Sequence, residues 1–187
     1  MSFDNPGFFE KLRMEVLWNR LGSFRYKQYI QGLQLKGDEN ILDFGCGGGA
    51  ASKHIANALS DSGNLVCIDT SAFWLEKAKK RMKDFSNVEF VCGRIEDADL
   101  PDNYFDSVII HFVLHDIEEK DRQEILNSLA GKLKETGLIY IREPTKHDHG
   151  MPPVEIVDHM KKAGLAELSG RHGEYFRWPH YTGVFRK

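Results

Sequence analysis

The stretch Asn40–Leu59, "NILDFGCGGGAASKHIANAL", decides how the rest of the chain is read. A short apolar run carrying one acid gives way to a glycine cluster and then to an amphipathic run. That is the order expected where a strand hands over to a helix around a nucleotide-like ligand. Gly45 and Gly47 lack a Cβ, so the backbone can turn sharply there and come close to a ligand. In open α/β sheets, ligands bind beyond the carboxyl ends of the strands, and the first strand-to-helix turn is the usual contact.

Working outward, strand-like runs recur with amphipathic segments between them: "NILDF", "NLVCID", "VEFVC", "FDSVIIHF" and "GLIYIRE". "SAFWLEKAKKRM" places Leu75, Ala78 and Met82 at helical spacing, and "DRQEILNSLAGKL" does the same with Ile125, Leu129 and Leu133. Gly37, Gly63, Pro101-Asp102-Asn103 and Gly137 fall between these elements, where turns or helix stops are needed. "SVII" and "LIYI" are near-continuous apolar runs, as in strands covered on both faces of a parallel sheet. The expected class is α/β: a doubly wound, mainly parallel sheet with helices on both faces. The tail "AELSGRHGEYFRWPHYTGVFRK" has two strand-like parts and no helix between them, so it is expected to add a hairpin at the sheet edge.

With 187 residues and 21.4 kDa, the chain is long enough to bury one large core, and a single domain is expected over 1–187. Residues 1–36 are read as a helical cover, 37–144 as the cofactor-binding core, and 145–187 as a C-terminal helix with edge strands. The cover carries Phe8, Phe9, Trp18, Phe24, Tyr26 and Tyr29, which suit either a lid over an apolar acceptor or the inner face of two helices. A net charge of −3 gives no broad attraction for phosphate backbones or anionic lipid, so nucleic acid is not the expected partner. No basic start precedes an apolar segment and no apolar run has spanning length; a cytoplasmic protein without membrane insertion is expected. Cys46, Cys67 and Cys92 are odd in number and lie in or beside strands, which suits reduced, mostly buried thiols.

Two cofactor classes use such a glycine turn. A dinucleotide needs GxGxx(G/A), which Gly45, Gly47 and Ala50 satisfy; that match alone is weak. Asp43, two residues before Gly45, would repel a pyrophosphate but accept from a ligand ammonium, which favours a cofactor bearing an amino acid. Asp69, ending the second strand, is placed to accept both hydroxyls of a ribose in either case.

Here the chain resembles the class I S-adenosylmethionine-dependent methyltransferases, in particular the branch containing ubiquinone/menaquinone C-methyltransferases and many small-molecule enzymes. The resemblance is carried by "ILDFGCGGG", "VCIDTSAFWLEKAKKR", "VEFVCGRIEDADLPDNYFDSVIIHFVLHDI" and "LKETGLIYIREP", in order and in register from Asn40 to Pro144. It implies a Rossmann-like methyltransferase fold with S-adenosylmethionine as cofactor and S-adenosylhomocysteine as product. It further implies that Asp43, Gly45, Cys46, Gly47 and Gly49 lie along the methionine part, that Asp69 holds the ribose, and that Thr70 and Trp74 flank the adenine. Arg94 and Ile95 occupy the pair that reads the adenine edge, usually an acid followed by a small residue. The sequence departs from the pattern there, so Glu96, Asp97 or the Ile95 N–H is expected to take the role.

Each of these residues has a plainer reading. Asp69 or Ser71 caps the following helix, and Trp74 belongs to the core. His111, just past the fourth strand, faces the methionine part and the acceptor by the resemblance, and is the candidate base near neutral pH. The alternative is a hydrogen-bonded structural histidine. His115 matches a histidine common across the branch, which points to loop architecture more than to catalysis, and Asp116 is expected to end or start the adjoining helix. His147, Asp148 and His149, with His159 further on, give an HxH pair without an assured third ligand, and no metal is expected.

The acceptor is narrowed by what is missing. There is no (N/D)PP(Y/F) loop after the fourth strand, no cysteine after Cys92, and no Arg-Asn pair of the quinone enzymes. The expectation is methyl transfer to a small-molecule acceptor by in-line displacement. Its rivals are a nicotinamide-dependent oxidoreductase and a non-catalytic S-adenosylmethionine-binding protein on the same fold.

Overall fold

The computed structural model describes residues 23–146, 149–175 and 178–187. They fall into two compact units, one up to Arg94 and one from Ile95, where the sequence suggests a single domain. Among the described residues no helix is long and apolar enough to cross a membrane.

The first unit runs α1 (Ser23–Gly32), β1 (Asn40–Phe44), α2 (Ser52–Ala58), β2 (Asn64–Asp69), α3 (Ala72–Arg81) and β3 (Val88–Cys92). β2 pairs in parallel with β1, Leu42 opposite Val66, and with β3, Leu65 opposite Val88. Flanked on both sides, β2 buries every residue after Asn64, as its apolar run requires. α3 buries Trp74, Leu75 and Ala78, and Met82 closes it from the core. Its N-cap is Ser71, whose hydroxyl accepts from the Trp74 N–H, and Lys79, Lys80 and Arg81 complement the helix dipole at the other end. α1 buries Tyr29 and Ile30, leaves Tyr26 half-buried, and exposes Phe24. Phe8, Phe9 and Trp18 lie outside the described residues.

The second unit runs β4 (Phe105–His111), a 3-10 turn (Leu114–Asp116), α4 (Glu119–Lys132), β5 (Leu133–Lys146), β6 (His149–Gly150), α5 (Pro153–Lys162), β7 (Ala166–Tyr175) and β8 (Trp178–Arg186). Its strand order is β4-β5-β8-β7, with β6 paired to β5. β4 and β5 are parallel, whereas β7 and β8 form the expected antiparallel hairpin, and β8 lies against β5. Two local expectations change. Leu133 leaves the helix to begin β5, and Gly137 lies inside β5, not in a turn. The register jumps from Phe105–Leu133 to Ser107–Leu138, so the intervening residues bulge out of the ladder around that glycine. On β7, Gly170 and Gly173 lie under the rings of Tyr181 and His180, where a Cβ would come within 3 Å of ring atoms.

Candidate functional site

In the first unit, the turn after β1 is held from below by β2: the Gly45 and Cys46 N–H groups both donate to the Ile68 carbonyl, at 2.9 and 3.1 Å. Gly45, Gly47 and Gly49 all have positive φ (68°, 51° and 74°), which explains the glycines. Their surroundings differ. A Cβ on Gly47 would meet nothing within 4 Å, whereas on Gly49 it would come within 3.1 Å of Ala78 and Met82. Gly47 therefore presents an open backbone face, and Gly49 is required for the close packing of α3. Arg81 fixes the turn from the same helix by donating to the Gly48 carbonyl.

Asp69 anchors the turns that follow all three strands of this unit. Its Oδ2 accepts from the Gly47 N–H at 2.7 Å, its Oδ1 from the Ser71 N–H at 2.8 Å, and its carbonyl from the Gly93 N–H at 3.1 Å. Because Ser71 is the helix cap, Asp69 is not explained by capping.

Asp43 is buried and accepts from the Ser52 hydroxyl at 2.5 Å. Burial raises its pKa to about 7; the Ser52 hydrogen bond opposes this and the Asp69 charge adds to it. The carboxylate expected to meet a ligand ammonium is thus already engaged, and half neutral near pH 7. Cys46 is buried with its thiol pushed up by Cys67 and by burial, Cys67 is buried, and Cys92 is exposed. Trp74 is buried, and its indole N–H has no partner among the described residues. Thr70 and Arg94 are exposed; in the second unit Ile95 is buried and Glu96 half-buried.

In the second unit, His111 ends β4 opposite Arg142 of β5. Burial, the Arg142 charge and His180 lower its pKa to about 3, so it stays neutral at physiological pH. A titration near neutrality is expected of His111 from the sequence; burial holds its ring neutral there. Phe112 follows with φ +60°, unusual for a bulky residue, and donates its N–H to the Arg142 carbonyl at 2.8 Å. Its ring packs against His111 and meets His180 edge-on. His180 is buried, and its Nδ1 has no hydrogen-bond partner among the described residues.

Glu143, fully buried in β5, holds the turn after β4. Its Oε1 accepts from the Val113 and Leu114 N–H groups, both at 2.8 Å, and its Oε2 from the His115 ring Nδ1 at 2.7 Å. Burial works against charging His115, but the hydrogen bond and charge of Glu143 outweigh it and raise the pKa. The loop-building role implied for His115 has this physical basis. Asp116 caps no helix: its carboxylate lies 3.5 Å from His115 Nε2. His149 stacks edge-on against His115, with centroids 4.9 Å apart. His159 is instead held by Gln123 at 2.8 Å and Glu155 at 3.7 Å, and His147 and Asp148 lie outside the described residues.

Sequence reasoning missed Ser52, Phe112, Glu143 and His180. Only Glu143 left a signal, as an acid inside the apolar run "LIYIREP".

Residues 41–137, more than half of the chain, match the methyltransferase domain family. A ubiquinone/menaquinone biosynthesis C-methyltransferase, UbiE, of Coxiella burnetii is 29% identical over 116 residues, 60% of this chain and 46% of that protein. The chain thus spans about half the length of that relative. In fold it is similar to a SAM-dependent methyltransferase from Aquifex aeolicus (TM-score 0.77, 20% identity, covering 98% of this chain and 100% of that one). It is likewise similar to a TehB-like SAM-dependent methyltransferase from Corynebacterium glutamicum (TM-score 0.77, 16% identity, covering 97% and 100%). Motif order, the strand-end turns and the match over residues 41–137 agree: the chain belongs to the methyltransferase domain family.

Proposed function

We propose that the protein transfers a methyl group from S-adenosylmethionine to a small-molecule acceptor. The observation that carries this reading is the organisation around Asp69, which gathers the turns after β1, β2 and β3 into one place at the carboxyl ends of the strands. Beside it, the Gly47 backbone is open to close approach, and the buried Trp74 indole N–H, which has no partner among the described residues, is available to a ligand acceptor. These features fit an adenosyl cofactor: Asp69 would bind the ribose hydroxyls and the glycine turn would lie along the methionine part.

The chemistry S-adenosylmethionine brings is an electrophilic methyl on a sulfonium, taken in line by the acceptor. The chain's own contribution is alignment and exclusion of water, and holding reactants at near-attack distance supplies roughly 7–11 kcal/mol. His111, with its pKa at about 3, is too weak a base to take up a proton in this step. A neutral imidazole there supports positioning of the acceptor. The relatives named for quinone biosynthesis support a small-molecule acceptor, while the missing Arg-Asn pair speaks against a quinone ring itself.

Since Asp43 already accepts from Ser52 and Asp69 suits the ribose of either cofactor, preference over a nicotinamide dinucleotide rests on the family match. Calorimetry with S-adenosylhomocysteine and NAD, followed by transfer of labelled methyl to a panel of small acceptors, tests the proposal. S-adenosylhomocysteine is expected to bind and NAD not to. NAD binding without a response to S-adenosylhomocysteine would overturn the cofactor, and cofactor binding without transfer to any acceptor would favour a non-catalytic binding protein.

A further inference from the structure

The sequence gives no reason to expect a metal, because the HxH pair near residue 149 lacks a third ligand. The fold instead brings His149 beside two donors from a different part of the chain. We infer that His115, Asp116 and His149 form a binding site for a divalent first-row transition ion such as Zn²⁺. One donor atom from each of these residues lies within 4.8 Å of the other two.

The arrangement around His115 is the reason to read these residues as a site. Its Nδ1 faces Glu143 at 2.7 Å, and Glu143 is itself immobilised by two backbone N–H groups. A carboxylate accepts, so Nδ1 carries the proton and Nε2 is left on the opposite edge of the ring as the ligating atom. Orientation of a ligating imidazole by a buried carboxylate through its other nitrogen is the usual outer shell of a metal-bound histidine.

His115 Nε2 lies 3.5 Å from Asp116 Oδ2. Two donors each about 2.1 Å from a tetrahedral ion sit about 3.4 Å apart, so this pair is already spaced for a shared ion. The 3-10 turn Leu114–Asp116 brings the two consecutive side chains together, and β6, pairing Lys146 with His149, carries the third residue beside them. Two imidazoles and one carboxylate suit zinc and other borderline divalent ions better than magnesium or calcium, which take oxygen donors. Three protein ligands leave a further coordination position for water or for an atom of a small molecule, the pattern of a reactive centre more than of a structural one.

The proposal is independent of methyl transfer, and its test reads metal alone. The full-length protein is stripped with a chelator, dialysed and titrated with Zn²⁺ by calorimetry in a Cys92→Ser background, which removes the exposed thiol. About one equivalent is expected to bind. His149→Ala and Asp116→Asn, both at exposed positions and so compatible with folding, are each expected to weaken binding by tenfold or more. Glu143→Gln, which keeps an accepting oxygen, is expected to weaken it by about tenfold, an effect that an exposed pair of side chains acting alone would not show. Co²⁺ should give the visible ligand-field bands of a low-coordinate site in the parent and not in His149→Ala. Substoichiometric binding in the parent, or binding that survives His149→Ala unchanged, would overturn the site and leave His115 as a loop latch held between Glu143 and Asp116.

Discussion

The turns after β1 and after β4 use the same device and differ in how completely it is used. In each unit a carboxylate from the neighbouring parallel strand accepts backbone N–H groups of the turn: Asp69 of β2 takes Gly47, and Glu143 of β5 takes Val113 and Leu114. Glu143 then spends its second oxygen on the His115 ring, and the 0% exposure of the residue leaves no room for another donor. Asp69 accepts from the Gly47 and Ser71 N–H groups, remains 7% exposed, and stands next to an open glycine. A carboxylate closed off from solvent is a fastening, while one that reaches the surface beside an open turn is a fastening that can also receive a ligand. The backbones differ accordingly: glycines supply positive φ without strain in the first turn, whereas Phe112 adopts it in the second, where surrounding contacts must hold it.

The largest effect should come from breaking the closed fastening. Glu143→Ala leaves three backbone N–H groups and an imidazole without their acceptor, and loss of such a buried charged partner costs about 3–5 kcal/mol. Chemical denaturation measures it. A loss below about 1 kcal/mol, the net worth of an ordinary hydrogen bond, would mean that the turn is held by other contacts.

Asp43 offers the next contrast, because its carboxylate is buried beside Asp69 without a cation. Its folded pKa of about 7 exceeds the ordinary 3.8, so the folded form keeps its proton longer than the unfolded chain does. The stability this supplies is complete below pH 3.8 and is lost as pH rises through 7. Asp43→Asn keeps an acceptor for Ser52 and cannot ionise, so its stability relative to the parent should rise by about 2–4 kcal/mol between pH ~5 and pH ~8.5, at about 1.4 kcal/mol per pKa unit. A difference that does not move with pH would show that Asp43 is ionised throughout.

How much of this was legible follows from what each residue's role depends on. The strands were readable because burial on both faces demands unbroken apolar runs, and Asp69 because its place at a strand end after a glycine turn is a linear feature. Glu143 was not, since its role depends on β5 being registered so that the residue after Arg142 reaches beyond His111, and that register is set by the bulge around Gly137. The Asp43–Ser52 hydrogen bond likewise exists only once α2 packs behind β1. Gly49 was grouped with Gly47 by spacing alone, and only the position of Ala78 separates them.

If Asp69 is the fastening that also receives a ligand, Asp69→Ala should weaken S-adenosylhomocysteine binding by about 1.5–3 kcal/mol, the scale of hydrogen bonds to a charged acceptor. Since Gly47 loses the same acceptor, a melting-temperature measurement on the apo protein must accompany the calorimetry. Loss of stability with unchanged affinity would make Asp69 a second Glu143, and the contrast between the two turns would collapse.

The smallest effect is expected at His111, and it bears on where acid–base chemistry resides. With its folded pKa at about 3 against an ordinary 6.5, the ring is neutral at every pH where the enzyme would work. The unfolded chain binds this proton first, so the contribution of His111 to stability is complete above pH 6.5 and is lost as pH falls toward 3; His180, also held low by burial and by Arg142, adds a slope of the same sign. Turnover with a competent acceptor should therefore show no inflection assignable to His111. His111→Gln, which keeps a polar side chain of similar reach, should lower the rate by less than about tenfold, equivalent to about 1.4 kcal/mol of barrier. Asp43 is held at about 7 and His115 is raised above its ordinary value, so an inflection near neutrality is assigned with variants. One that persists in His111→Gln and disappears in Asp43→Asn belongs to the turn after β1. One that disappears in His111→Gln would return His111 to the role of base, and would require contact with substrate to raise its pKa by several units.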